Sequence, residues 1–277
     1  MIGLNSGLGL ICRKLNYTRQ GYYKRRQLEL KRESRDLKVL EYVERQREDQ
    51  PGVGVRKLHR MMAALDSTEL TIGRDELFNL LRQHKMLIKP KNRRVSFSKP
   101  GVERVSSPNL LSGLDIRHVN QAWVTDITYL NTCSGFVYLY LITDLYSRKV
   151  ISSLLAEDLS SESACKALRR ALLTVSDAQG IIHHSDHGCQ YTSKAYQSIL
   201  AKHRLACSMT GRNRCYDNAV AERLNGILKH EFMLNRIFPD FAIAADAVKE
   251  AVSVFNNKRL HVALGYRTPD MVYADAA

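Results

Sequence analysis

The sequence predicts a mixed α/β domain behind an all-α, basic front, and three observations carry that prediction. From residue 120 the hydrophobic pattern leaves helical spacing for alternation and short apolar runs, and then interleaves strand with helix. Residues 1–100 hold 23 Lys and Arg against 11 Asp and Glu, whereas the remainder holds 19 against 17. Between the two regions, residues 89–108 carry three prolines and four serines among clustered Lys and Arg. That composition suits a linker and no packed element.

In the front third, Leu10, Ile11, Leu15, Tyr22 and Tyr23 flank the segment Asn16-Tyr17-Thr18-Arg19. Thr18 reads as the N-cap of a short second helix bearing Lys24, Arg25 and Arg26. A helix, a tight turn and a basic helix is the sequence form of a helix-turn-helix, expected over residues 1–50. Residues 33–48 are charged and helix-prone, with Leu37, Leu40 and Val43 at helical spacing. Pro51-Gly52 breaks the chain, and a helix restarts over 54–62 with Arg56, Lys57 and Arg60 available to phosphates. After a turn at Ile72-Gly73, residues 74–84 form another helix striped by Leu77, Leu80 and Leu81. Residues 51–90 are thus a second helix-turn-helix candidate, with a plain helical hairpin as the alternative. Residues 91–117 form a basic linker whose Arg93 and Arg94 are expected along DNA.

Residues 118–235 hold the α/β domain. Over 122–130, Trp123, Thr125, Ile127 and Tyr129 share one strand face. The continuous apolar run 136–142 reads as a strand covered on both sides. A third strand, 149–155, follows the turn Tyr146-Ser147-Arg148. A helix over 161–175 buries Ala164, Leu168, Ala171, Leu172 and Val175. Then come a buried strand to Ser185, a helix over 193–203, a strand over 206–209 and a helix over 218–232. This is a mixed five-stranded sheet with flanking helices, followed by a C-terminal helical tail, 236–277. There is no internal repeat and no Gly-rich phosphate loop.

Composition narrows the function. A formal net charge of +14 suits a partner rich in phosphates. No stretch approaches the roughly 18 apolar residues of a membrane helix, and the N-terminus lacks the pattern of a signal peptide. The expectation is a cytoplasmic, nucleoid-associated protein with no membrane contact. The six cysteines form no C-x-x-C pair, which argues against zinc and disulfides and leaves buried free thiols as the expectation.

Two acids sit where a carboxylate is costly. Asp126 lies inside an apolar strand, and Asp186 ends another at the mouth of the sheet. Such a group needs a counter-charge, and a divalent cation is one candidate. Glu222 lies on the helix after Asp217-Asn218, with Asn225, Gly226 and Lys229 on its side and Val220, Leu224 and Ile227 as the packing face. Taken singly, each acid reads as an ordinary surface carboxylate. Together, one from each of three elements, they supply the hard oxygen ligands of Mg²⁺ or Mn²⁺, and two such ions about 3.5–4 Å apart can run phosphodiester chemistry.

The motifs Trp123-Val-Thr-Asp126, His183-His-Ser-Asp186-His-Gly and Asp217-Asn-Ala-Val-Ala-Glu222 resemble those of the DDE transposases and retroviral integrases. Thirty-five residues separate Asp186 from Glu222, the spacing typical of that superfamily, and Lys229 matches its basic residue near the DNA end. The stretch Phe255-Asn-Asn-Lys-Arg259-Leu-His261-Val-Ala-Leu-Gly265-Tyr-Arg-Thr-Pro269 and the opening Cys12-Arg-Lys-Leu resemble bacterial insertion-sequence transposases, in particular the second-frame product of two-frame elements. The resemblance implies a ribonuclease-H-like core and metal-dependent cleavage at terminal inverted repeats. Attack of the freed 3′-hydroxyl on target DNA would follow, by at least a dimer on DNA, with a possible upstream-frame fusion partner. It adds His184, His187, Asn218, Arg259 and His261 as supporting residues, and Lys229 and Asn225 as DNA contacts. His187 and Cys189 stand where relatives often carry Arg and Ser. A domesticated, non-catalytic DNA-binding regulator and a ribonuclease-H-like nuclease are the competing readings; the intact triad opposes the first and the C-terminal motif the second.

Overall fold

The computed structural model describes residues 4–65, 67–88, 107–211 and 219–276. The chain divides into two units: Met1–Glu48 with Val53–Lys89, and Asp49–Gly52 with Pro90–Ala277.

The first unit is helical: α1 (Leu4–Lys14), α2 (Arg19–Asp49), α3 (Val55–Ala63) and α4 (Arg74–Gln83). Thr18 caps α2 as its position predicts, its Oγ1 accepting the Gly21 N–H at 3.0 Å. The helix it opens is not short, however; it runs unbroken for 31 residues because no Gly or Pro interrupts the charged stretch after Arg26. Its second half packs on α3 and α4 through Val39, Val43, Leu58, Leu77, Leu80 and Leu81. Leu37, expected in that stripe, is 62% exposed, and Val39 takes the inward position. The α3 and α4 helices are joined by residues 64–73, which include a 3₁₀ turn at Thr68–Leu70, rather than by the three or four residues of a tight turn. Arg35 holds α4 by ion-pairing with Glu76 at 2.8 Å.

The second unit is built on β1 (Ala122–Thr132), β2 (Gly135–Asp144), β3 (Val150–Ala156), β4 (Ile182–Ser185) and β5 (Ala206–Met209), in the order β3-β2-β1-β4-β5. The first three strands are antiparallel neighbours, and β4 and β5 run parallel to β1. This is the ribonuclease-H-like arrangement. A two-residue strand, β6 (Ile237–Phe238), adds itself to the far end of β1. The β1–β2 hairpin is tight because Gly135 supplies a φ of 126°, which a side chain would oppose.

Helices cover both faces. α5 (Ser161–Leu172) and α6 (Lys194–Lys202) bury Trp123, Tyr140 and Ile142. α7 (Ala219–His230) and α8 (Phe241–Asn257) bury Leu130, Leu139 and Leu141 on the other face. Alternation along β2 thus sends adjacent apolar residues to opposite layers, which is why that strand reads as a continuous run. Each such Leu or Ile contributes roughly 1.5–3 kcal/mol by leaving water. α8, expected in a tail, is instead a core helix: Ala244, Val248, Ala251 and Phe255 form its inward stripe. It is followed by α9 (Pro269–Ala276). The start of this unit is not all linker either, for Pro108 and Leu110 hydrogen-bond to Met209 and Ser208 of β5. Cys12 and Cys165 are buried as expected, but Cys133 and Cys189 are exposed, the first in the hairpin turn and the second in the loop after Asp186.

Candidate active site

The parallel ladder between β1 and β4 pairs Val124 with His184. Two residues further on, Asp126 and Asp186 therefore come level, on the face that α7 covers. Leu224, Ile227 and Leu228 anchor α7 against that face, and Glu222 stands exposed in the first turn of the helix, on the helical side it shares with Asn225. Val220, expected to help pack α7, is only half-buried, and Ala221 and Leu228 do that work instead.

Asp126 is half-buried and hydrogen-bonded at both oxygens. Oδ1 accepts the Ile127 N–H at 2.9 Å, and Oδ2 accepts Asn225 Nδ2 at 2.6 Å. Burial first, then the charge of Asp186 and more weakly that of Glu222, push its carboxyl from 3.8 up to about 7, against the pull of the two hydrogen bonds. Asp186 is exposed, and the Gly188 N–H donates to its Oδ1 at 2.9 Å. A Cβ on Gly188 would meet that oxygen at 3.0 Å, so a larger residue there would require the carboxylate to shift by a few tenths of an ångström. Asp144 makes a useful contrast. It is fully buried, yet it accepts from the Asn120 N–H, the Ser147 N–H and the Ser147 hydroxyl, and so builds the β2–β3 turn.

Among the described residues, no three His, Cys, Asp or Glu side chains are drawn together closely enough to hold an ion. In chemical type, though not in spacing, the donor set suits a divalent cation. It offers hard carboxylate oxygens from three elements, and Asp126 feels the charges of both Asp186 and Glu222.

The other expected residues fall into three groups. Asn225, expected at DNA, turns its amide nitrogen to Asp126, while its buried Oδ1 accepts no hydrogen bond from the described residues. Lys229 places its Nζ 4.2 Å from the centre of the Tyr129 ring. Arg56 and Arg60 are exposed on α3 with Lys57 half-buried beside them, and Lys24, Arg25 and Arg26 are exposed on α2. His184 and His187 serve the scaffold: His184 Nδ1 lies 2.8 Å from Ser208 Oγ, and His187 Nε2 donates to the Thr210 carbonyl at 2.8 Å. Arg259, almost fully buried, grips Glu231 just past the end of α7 with two bonds of 2.8 Å and reaches His261 Nε2 at 3.0 Å. Arg93, Arg94 and Asn218 lie outside the described residues.

Comparison with known proteins decides the family. The integrase core domain matches residues 117–215, and a second integrase core domain description matches 203–269. The uncharacterized 31 kDa protein of insertion element IS600 from Shigella sonnei is 30% identical over 263 residues, 94% of this chain and 96% of that protein. This chain belongs to the DDE family of bacterial insertion-sequence transposases. The transposase InsF of insertion sequence IS3A from Escherichia coli strain K12 is 36% identical over 152 residues, covering 54% of this chain and 53% of InsF. The match thus spans about half the length of that relative. Among solved structures, the catalytic core of HTLV-2 integrase in complex with magnesium aligns with 56% of this chain and 96% of its own, at 19% identity and a TM-score of 0.44. The integrase-core matches take in all three acids of this transposase, together with α7 and α8.

Sequence reasoning missed two features of the site. Asn225 as the partner of Asp126 had no signal beyond its helical side, shared with Glu222. The Tyr129–Lys229 contact was hidden because alternation assigns Tyr129 to the buried face, whereas it is 53% exposed.

Proposed function

We propose that this transposase cleaves DNA at the ends of its own element and joins the freed 3′-hydroxyl to target DNA, with Asp126, Asp186 and Glu222 as ligands for two Mg²⁺ or Mn²⁺ ions. The observation that carries the reading is the carboxylate of Asp126, level with Asp186 and pushed up by the charges of Asp186 and Glu222. Bound ions would supply a counter-charge, activate a water or 3′-hydroxyl and neutralise the leaving oxygen.

The chain's own residues set the stage for this chemistry. Asn225 and the Ile127 amide orient Asp126, and the Gly188 amide holds one oxygen of Asp186 so that the other faces out. Lys229 meets the phosphate backbone of the DNA end. The exposed Arg56 and Arg60, with Lys57 and the Lys24–Arg26 cluster, supply the sequence-independent share of DNA affinity. The partner is DNA, terminal repeat and target alike, inside the bacterial cell at the nucleoid. The working form is at least a dimer, and fusion to an upstream-frame product fits the resemblance of the opening residues to second-frame proteins.

The test is cleavage of a duplex carrying the element's terminal repeat. Asp126→Asn, Asp186→Asn and Glu222→Gln should each abolish Mg²⁺-dependent cleavage and strand joining while leaving DNA affinity within a few-fold of wild type. Near-wild-type cleavage by any one of them would sink the assignment.

A further inference from the structure

Tyr129 and Phe136 are large aromatic side chains that the fold leaves 53% and 59% exposed, next to each other on the β1–β2 hairpin. Their rings meet edge to face, with centroids 5.2 Å apart. The cause is local. The helical layer that buries Trp123 and Ile127 does not extend to Tyr129, so the last turn of the hairpin stands clear of it. Neither ring is needed by the core, and exposed paired aromatics are uncommon without a use.

Their position relative to the acids is what gives them meaning. Alternation along β1 points Tyr129 to the face opposite Asp126. Among the described residues, however, the edge of β1 that faces β4 has no strand partner between the last β4 pair at Val124 and the first β6 pair at Asn131. Lys229 reaches across this notch from α7 and sets its ammonium over the Tyr129 ring at 4.2 Å. The cation and the aromatic pair therefore form one surface, connected with the acidic site through the notch. Three residues along β1 separate Tyr129 from Asp126, about 10 Å, and seven along α7 separate Lys229 from Glu222, also about 10 Å. At about 3.4 Å per base step, that is the reach of three nucleotides.

We infer that Tyr129, Phe136 and Lys229 form a stacking platform for an unpaired nucleobase at the DNA end, within three nucleotides of the scissile phosphate. Rings stack on bases regardless of their identity, and a neighbouring ammonium takes the phosphate that follows. Double-stranded DNA offers no free base face, so the platform takes a frayed end and helps hold it open beside the carboxylates. The inference rests on the DNA-end reading above, and deepens it by naming what the end presents.

The test is a double-mutant cycle between ring and base, read as binding with Ca²⁺ in place of Mg²⁺. The probe is a fluorescein-labelled terminal-repeat duplex with an abasic site placed in turn at each of the first three nucleotides of either strand. For the wild type, one position should weaken binding by about tenfold. That penalty should vanish in Tyr129→Ala or Phe136→Ala and persist in Tyr129→Trp, which keeps a ring. Because both side chains are exposed, the variants should unfold at the wild-type temperature. The platform is refuted if no position carries a penalty, or if the penalty is the same in all proteins. Loss of self-association by Tyr129→Ala with unchanged penalties would likewise overturn it, in favour of a surface between two copies of the chain. Cleavage of the unmodified duplex by wild type in Mg²⁺ checks the parent reading separately, so either can fail alone.

Discussion

Replacing Asp126 by asparagine should remove cleavage and, in the same molecule, stabilise the metal-free fold. The carboxyl is pushed from 3.8 to about 7, by burial first and then by the charges of Asp186 and Glu222. A carboxyl whose folded value is raised binds its proton more tightly in the folded state. Its stabilising effect is complete below pH 4 and is lost as pH rises through 7. Three pK units correspond to about 4 kcal/mol at pH 8. Half-burial lets water screen part of that, and a buried carboxamide has its own desolvation, so a gain on the order of 2 kcal/mol is expected for the variant. The hydrogen bonds survive the change. The asparagine oxygen can still accept the Ile127 N–H, and its nitrogen can donate to Asn225 Oδ1, which accepts nothing at present, once that amide turns over.

The assay is thermal unfolding in EDTA, followed by the fluorescence of Trp123, the single tryptophan of the chain and a fully buried neighbour of the site. At pH 8, Asp126→Asn should melt roughly 4–8 °C above wild type. The difference should shrink toward zero by pH 4. Adding Mg²⁺ should raise the wild type and leave the variant where it was, because only the wild type gains a bound ligand. A variant that melts below wild type at pH 8, or a difference that ignores pH, would refute the account of Asp126 as a carboxylate raised by burial and by its acidic neighbours.

Asn225→Ala should raise the Mg²⁺ concentration for half-maximal cleavage several-fold at little cost in stability, since it frees Asp126 Oδ2 and removes an unpaired Oδ1; an unchanged metal midpoint would count against the orienting role. Joint neutralisation of Arg56 and Lys57 to Gln should weaken DNA binding and reduce the slope of log affinity against log salt by about two; an unaltered slope places those side chains away from phosphate. Arg259→Ala should destabilise the second unit by about 3 kcal/mol in urea unfolding, because it removes a buried guanidinium and both of its bonds to Glu231, and Arg259→Lys by less; equal stability of all three proteins would show the paired bonds to be dispensable.

What could be read from the sequence, and what could not, follows the range of the interactions involved. Leu77, Leu80 and Leu81 announce the inward face of α4, and the apolar run of β2 announces two covered faces, because both patterns are local. The acids could be named one at a time for the same reason. That they belong together came from the family resemblance; the levelling of Asp126 with Asp186 depends on the parallel register of β1 and β4, strands some sixty residues apart, in which a slip of one residue would send Asp126 to the opposite layer. Leu37 and Val39 illustrate the limit on a helix: both are apolar, and which one turns inward is decided by where α3 and α4 lie, not by α2. The stripe of α8 is as regular as that of α4, yet position in the chain made it look like a tail, because nothing local says that β1, β2 and α7 leave a groove for it. Tyr129 is the sharpest case. Alternation correctly assigns its face, and its exposure arises only because the helical layer on that face stops short of it. A residue can thus obey the local pattern of a buried strand and still stand in solvent, and such places, where pattern and packing part, are where a ligand has room to bind.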